Sequence, residues 1–532
     1  MNVIAKIVFC LATMTCFASN EMTLDEKIGQ LLMVRFNGKE ANEDAKALVQ
    51  EVHVGGVIFY NWANGLDSPE QVRSLNKNLQ QLTLENQTPI PLLIAVDQEG
   101  GLVSRLNRGF TIFPGNMALG KTNDPDLAEE AAYAMGQELM AVGVNMNLAP
   151  VVDINNNERN PVIGIRSFGD SPKSVSIFAK KALDGYHKAG IITSLKHFPG
   201  HGDVEIDSHE NLPIVNKSID QLCENELLPF SELCDLADTV MTAHIMVPSL
   251  DSENCATLSR NILLILRNLI GFQGVIISDS LLMEGVLKNC DYSVEEAAIR
   301  AFNAGCDILN LGGRRLFRTR DNLDLTVREI QKIHQALVHA VKTNRISEER
   351  VNQSLDRILS LKKRYKLSSS VQQIEPTDSF EHREISKKIA ALALHTIQNG
   401  PIPSIKVSRI ALFAPEFLRE TILQTEIASI GKKTSALFYQ SLIPCAEEIF
   451  SVQKLVNQSD MIIFCSYNAW KNPAQTTLLQ ILCNIKKPMI LISLRDPLDT
   501  SLFPNIPLII STFSPTAPSI QAASDLLNTG IY

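Results

Sequence analysis

The sequence predicts an α/β protein, a (β/α)8 TIM barrel followed by a smaller α/β sandwich domain. Three observations predict it. Eight short β-rich runs alternate with helical patterns over the first two thirds of the 532 residues. Most of the runs are continuously apolar, as parallel strands covered on both faces require. Polar residues gather at the C-terminal ends of the runs, the face where this fold carries its active site. A doubly wound sheet would tolerate polar strand ends too, but eight strands in steady alternation favour closure.

Before the first strand, a lone Lys6 precedes IVFCLATMTCFAS, residues 7–19. The run has the length of a signal-peptide core and is too short to span a bilayer. Residues 1–19 therefore read as a signal peptide, although Cys16 and Phe17 make an imperfect cleavage site; a buried first segment of a cytosolic protein is the alternative. The barrel is expected over 20–366. Its strands are QLLMVRF (30–36), VGGVIFY (54–60), PLLIAVD (91–97) and GVNMNLAPVVD (143–153). They continue with GIITSLKHF (190–198), TVMTAHIMV (239–247), GVIISD (274–279) and CDILNLG (306–312). Asp124 and Pro125 predict a helix start, while Gly190 and Gly305 predict helix ends. A Ser/Gln-rich linker and a helix-like segment, HREISKKIAALALHTIQNG, fill 367–404. Four further buried-strand runs, RIALFAP, MIIFCSY, PMILISL and PLIISTF, place the second domain at 405–532.

Composition narrows the function. At 45% hydrophobic and 20% charged, the chain is globular with ample core. A net charge of −9 without a basic cluster argues against nucleic acid as a partner. Ten cysteines include no CxxC pair, so neither a zinc ribbon nor a thioredoxin-type centre is supported.

The most polar loop reads KHFPGHGDVEIDSHENLP, residues 196–213. Its His197, His201, Asp203, Asp207 and His209 are ligand types for zinc, but Pro199 and Gly200 interrupt any helical pairing and HExxH is absent. Ser208 makes no triad with its neighbours, and no GxSxG elbow occurs. Proton transfer remains: Asp207 stands two residues before His209, close enough to bond one ring nitrogen and orient the other. Asp279 ends the seventh run and would project into the barrel mouth; its plain alternative is a helix N-cap. A carboxylate nucleophile with a separate acid/base is the equipment of a retaining glycosidase.

These motifs resemble a known family. KHFPGHG…DSH…LP, with VDQEGGLVSR, NPVIGIRSFG and ISDSLLMEGV, is similar to glycoside hydrolase family 3, in its NagZ-type branch of bacterial β-N-acetylglucosaminidases. The resemblance runs from about Leu24 to Lys366 and more weakly through the second domain, as in two-domain secreted members. It implies Asp279 as nucleophile, His209 as general acid/base and Asp207 as its orienting partner. It further implies that Asp97, Arg166, Lys196 and His197 hold the terminal sugar, with Arg105 binding or supporting beside them. Taken singly, Lys196 and Arg166 could be structural ion-pair members and His197 a satisfied core histidine. Asp153, His201, Asp203 and His244 are expected to shape the loops. Leu102, Ile165 and Cys255 depart from the family pattern, the first two at positions where substrate affinity could change.

The expectation is thus a retaining exo-β-N-acetylglucosaminidase acting on muropeptides or chitin-like oligosaccharides, periplasmic or secreted, monomeric, needing no metal or organic cofactor. A β-N-acetylglucosaminide phosphorylase is the rival enzyme, because a His acid/base does not repel phosphate. A non-catalytic carbohydrate-binding barrel is the rival from another class.

Overall fold

The apolar runs become short parallel strands. In the computed structural model, described over residues 22–205, 212–314, 324–368, 377–402, 404–440 and 446–530, β1 (Leu32–Val34), β2 (Gly56–Ile58) and β3 (Leu93–Val96) fall inside the first three runs. A hairpin that the sequence reading did not foresee follows at once, β4 (Gln98–Gly100) with β5 (Val103–Ser104). Then come β6 (Met146–Asn147), β7 (Ser194–Phe198), β8 (Thr239–Thr242), β9 (Val275–Ile277) and β10 (Leu309–Asn310), each within its expected run. Helix Pro172–Ala189 ends on Gly190 and helix Val294–Ala304 on Gly305, as expected. The helix expected to open on Pro125 spans Asp126–Ala141, with the Asp124 carboxylate accepting from the first backbone N–H.

The eight strands form two parallel sheets rather than one continuous ladder: a five-stranded sheet in the order β10-β1-β2-β3-β6 and a three-stranded one, β7-β8-β9. At one seam the strands are interrupted where Pro150, which has no N–H to donate, follows β6. Backbone hydrogen bonds nonetheless cross both seams. Asn147 donates to Ile192 at 2.8 Å and Ser194 to Ala149 at 2.9 Å; at the other seam Ser278 donates to Ile308 at 2.9 Å.

Residues 405–530 build most of a second sheet, ordered β11-β16-β15-β14-β12-β13. Its strands are β11 (His395–Gln398), β12 (Arg409–Pro415), β13 (Lys433–Tyr439), β14 (Met461–Ser466), β15 (Met489–Ser493) and β16 (Leu508–Ser511). β11 runs antiparallel to β16, and the other pairs are parallel. Alternate residues feed two apolar cores, one on each face: Leu412, Ile463 and Ile492 meet Ile520 and Leu527, whereas Phe413, Phe464 and Leu491 meet Leu478 and Leu482. The segment expected to be helical through residue 400 stops at Ala393, and its last part includes the edge strand β11. The second sheet therefore begins ahead of residue 405.

Helix Phe380–Ala393 packs on both parts, against helices Asn116–Lys121 and Asp126–Ala141 on one side and Ala517–Thr529 on the other. Among the described residues, no helix is long and apolar enough to cross a membrane, and the seven cysteines are free thiols. The expected signal segment lies outside the described residues.

The tightest helix contact sets a test. Helices Asp126–Ala141 and Pro172–Ala189 meet at Gly185, where an added Cβ would lie 2.3 Å from the carbonyl oxygen of Glu129. Alanine's helix preference recovers about 1 kcal/mol at most, while forcing two backbones apart costs about 1–3 kcal/mol. Gly185→Ala is expected to lower the thermal midpoint by a few degrees; an unchanged or raised midpoint would mean the helices can slide apart freely.

Candidate active site

The C-terminal strand ends open into a cavity of about 380 Å3, lined among others by Asp97, Arg166, Lys196, His197 and Asp279. They arrive from four separate stretches of chain. Asp97 follows β3, Lys196 and His197 lie within β7, and Asp279 stands two residues past β9. Arg166 ends a short 3-10 turn, Gly164–Arg166. That turn is shaped by Asn160, whose side-chain oxygen accepts from the N–H groups of Val162 at 2.9 Å and Ile163 at 2.8 Å.

A buried carboxylate that sequence reasoning missed ties these pieces together. Glu99, on β4, accepts from Arg166 through both oxygens, at 2.9 Å from Nε and 2.8 Å from the terminal nitrogen. The same Oε1 lies 2.6 Å from Lys196 Nζ. Lys196 also donates to Asp97 at 2.9 Å, and Arg105 approaches the other Asp97 oxygen at 3.6 Å. Burial would raise the carboxyl of Glu99, but Arg166 and Lys196 overcome it and hold it well below the usual carboxylate range. Asp97 is likewise lowered: burial opposes, and Lys196 and Arg105 prevail. Burial pulls Lys196 and Arg166 down, yet their carboxylates leave both above their ordinary values. All four groups are charged.

His197 is oriented from behind. Asp153 accepts from its ring Nδ1 at 2.6 Å and from its backbone N–H at 3.1 Å. Its Nε2 sits 3.4 Å from the Arg166 guanidinium. A guanidinium only donates, so Nε2 accepts and the proton sits on Nδ1. Asp153 also accepts from the backbone of His201 at 2.7 Å, and Asp203 pairs with Lys217 at 2.7 Å. These are the loop-shaping parts expected of them.

Asp279 is not the N-cap of the segment that follows, whose helix begins at Glu284 with Met283 in the cap position. Its carboxylate instead accepts from the Ser280 N–H at 2.7 Å. His244 supports that turn, its Nε2 lying 2.8 Å from the Ser280 carbonyl oxygen. Tyr60 lies by Asp97 and Asp279; burial and both acids raise its hydroxyl, which stays protonated. Arg105 does not line the cavity and stands behind Asp97, its guanidinium 5.5 Å from the Tyr60 ring. Asp207 and His209 lie outside the described residues.

The rim adds groups that no motif announced. Trp62, 41% exposed, stacks on Tyr60 at 5.2 Å. The guanidinium of Arg314 lies 3.7 Å and that of Arg35 4.7 Å from its ring centre. Both arginines approach Asp324, at 3.2 and 3.5 Å. Leu102 and Ile165, two of the three departures from pattern, belong to an apolar cluster with Met117, Ala118, Ala393 and Phe513.

Burial, with His197 beside it, pushes the His201 imidazole down from 6.5 to about 4. Between these values the unfolded chain takes up a proton that the folded protein does not, so stability falls as pH drops through the window. The depressed carboxylates Asp97, Glu99 and Asp153 add their loss only below their ordinary values of 3.8 to 4.5. His201→Asn is therefore expected to flatten the stability decline between pH 6.5 and 4.5, a decline of about 3 kcal/mol at most. Denaturant titrations across that range check it, and an unchanged slope would contradict it.

The pattern of the glycosyl hydrolase family 3 N-terminal domain matches residues 23–361. The chain is 32% identical over 480 residues to Beta-hexosaminidase A of Pseudoalteromonas piscicida, covering 83% of this chain and 78% of that protein. It is 35% identical over 281 residues to a Beta-hexosaminidase of Pseudomonas aeruginosa strain LESB58, covering 52% of this chain and 80% of the relative. Among solved structures, a glycoside hydrolase family 3 beta-N-acetylglucosaminidase from Paenibacillus sp. str. FPU-7 superposes with a TM-score of 0.85 at 34% identity. That match covers 96% of this chain and 97% of the other.

Proposed function

The chain belongs to glycosyl hydrolase family 3, and from that premise we propose that it is a retaining exo-β-N-acetylglucosaminidase. The observation that carries the reading is the placement of Asp279 on the same cavity as the Asp97–Lys196–Glu99–Arg166 network. Such a network presents fixed donors and acceptors to the paired hydroxyls of one terminal sugar, holding its anomeric carbon toward Asp279. We read the two parallel sheets as arcs of one closed barrel, a reading supported by the hydrogen bonds across both seams. Residues 20–366 then form the catalytic unit and the second sheet its companion domain.

The proposed reaction runs in two displacements. The Asp279 carboxylate attacks the anomeric carbon as His209 protonates the departing glycosidic oxygen, and a glycosyl ester forms. His209 then takes a proton from water, whose oxygen replaces Asp279 at the same carbon. Two inversions give net retention. Asp207 steadies the imidazolium in between. Every charge and proton in the scheme comes from side chains and water.

The leaving group is proposed to be a muropeptide or a chitin-like sugar. Trp62 stands at the rim with Tyr60 against its ring, and among the described residues the two arginines beside that ring share one carboxylate. That excess of positive charge favours a leaving group that carries carboxylates, and hence the muropeptide. Chitobiose and a GlcNAc–MurNAc-peptide assayed side by side separate the two; a higher kcat/KM for chitobiose would sink the muropeptide preference.

The direct test is nitrophenol release from 4-nitrophenyl N-acetyl-β-glucosaminide, beside the matching β-glucoside and with or without phosphate. The acetamido sugar alone is expected to turn over, giving free GlcNAc in both buffers; GlcNAc-1-phosphate as product would make the enzyme a phosphorylase. Asp279→Ala should lose roughly 10^4-fold or more in kcat and recover with azide, giving the inverted glycosyl azide. His209→Ala should lose less on nitrophenyl than on sugar leaving groups, since a good leaving group needs little protonation. Equal losses on both would reject its assigned role.

A further inference from the structure

Arg166 is held from the cavity side by Glu99, but the turn that carries it is also pressed from behind by the second domain. Gly164, at φ 44°, opens that turn. A Cβ added there would lie 2.6 Å from Oδ1 of Asp496, a residue just past β15. The next residue, Ile165, is buried against Phe513, just past β16.

Both second-domain residues are held at some energetic cost. Asp496 is 2% exposed, its backbone pinned by Asn468 at 3.1 Å and Ser493 at 3.1 Å. The Trp470 indole and the Asn468 amide face its carboxyl and Arg495 Nε stands 3.9 Å away, yet neither oxygen gains a hydrogen bond of good geometry. Burial raises the carboxyls of Asp496 and neighbouring Asp499. Phe513 sits at φ 52°, a left-handed conformation that bulky side chains avoid. A buried acid without a well-formed hydrogen bond and a strained aromatic residue on one seam are hard to account for as stabilising features. They are accounted for if the seam sets the height of the turn.

We propose that Asp496 and Phe513 are positioning residues that fix the Gly164–Arg166 turn, so that the second domain sets how tightly the catalytic domain grips the terminal sugar. The inference rests on the sugar-binding role proposed for Arg166. It also explains why Ile165 and Leu102 stand where the family pattern has polar or small residues: they belong to the domain seam.

A mutant cycle tests it, read as kcat and KM on the nitrophenyl glycoside and as Kd for free GlcNAc by calorimetry. Asp496→Ala and Gly164→Ala are each expected to weaken GlcNAc binding and raise KM by about 5- to 20-fold, with kcat changed by less than about threefold. Asp496→Asn keeps the size and shape of the side chain against Gly164 and should bind GlcNAc within about twofold of wild type. The double variant Gly164→Ala/Asp496→Ala should be less impaired than the product of the single effects, because removing the carboxyl makes room for the Cβ. Where Asp496→Ala does not fold, Phe513→Leu is read in the same way. Unchanged GlcNAc affinity in folded single variants, or multiplicative effects in the cycle, would overturn the proposal. A wild-type protein that binds GlcNAc but hydrolyses no glycoside would overturn the proposed function and leave the positioning role to stand or fall on calorimetry.

Discussion

The site depends on one buried carboxylate. Glu99, its side chain 1% exposed, holds Lys196 of β7 and Arg166 of the turn after β6 at once. A buried ion cluster is weak evidence for stability, since well-packed apolar residues often do as well. Once built, however, it is intolerant of loss: removing one partner strands the rest, at a cost of about 3–5 kcal/mol. Such an arrangement has little give. It fixes two cations and Asp97 at defined positions on the cavity wall, the condition for orienting a polyhydroxylated ring.

Around that carboxylate the protein adds constraint in layers. Asp153 fixes the His197 ring and, through the His201 backbone, the residues that follow β7. His244, just past the neighbouring strand β8, braces the turn at Asp279. The second domain closes the seam behind Ile165. The groups that would meet substrate are thus few, and most of the polar side chains nearby hold those few in place.

The eight parallel strands of the first two sheets were legible because continuous apolar runs bounded by Gly and polar residues leave little choice of structure. Edge elements were not. β13 carries KTSALFY with much of its length half-exposed, and β11 continues the apolar spacing of the helix before it, so neither stands out as a buried strand. The β4–β5 hairpin is too short for any periodicity. In the site, Asp97, Arg166, Lys196, His197 and Asp279 were found through motif resemblance, and the structure gathers them on one cavity. Glu99 was passed over although it sits inside VDQEGG: its partner Arg166 lies 67 residues away, and nothing local marks a buried acid. Leu102 and Ile165 were read as positions where substrate affinity could change. They are seam residues because the surface they would otherwise expose is covered by a second domain whose docking no one-dimensional pattern records.

The central claim, that Asp279 forms a covalent glycosyl-enzyme, is tested most directly by trapping that species. The 2-position carries the acetamido group, so a 5-fluoro-N-acetyl-β-glucosaminyl fluoride is the suitable slow substrate. Intact-mass spectrometry should show one added fluoro-sugar, and peptide mapping should place it on Asp279. Inhibition without a covalent adduct, or an adduct on any other residue, would contradict the account.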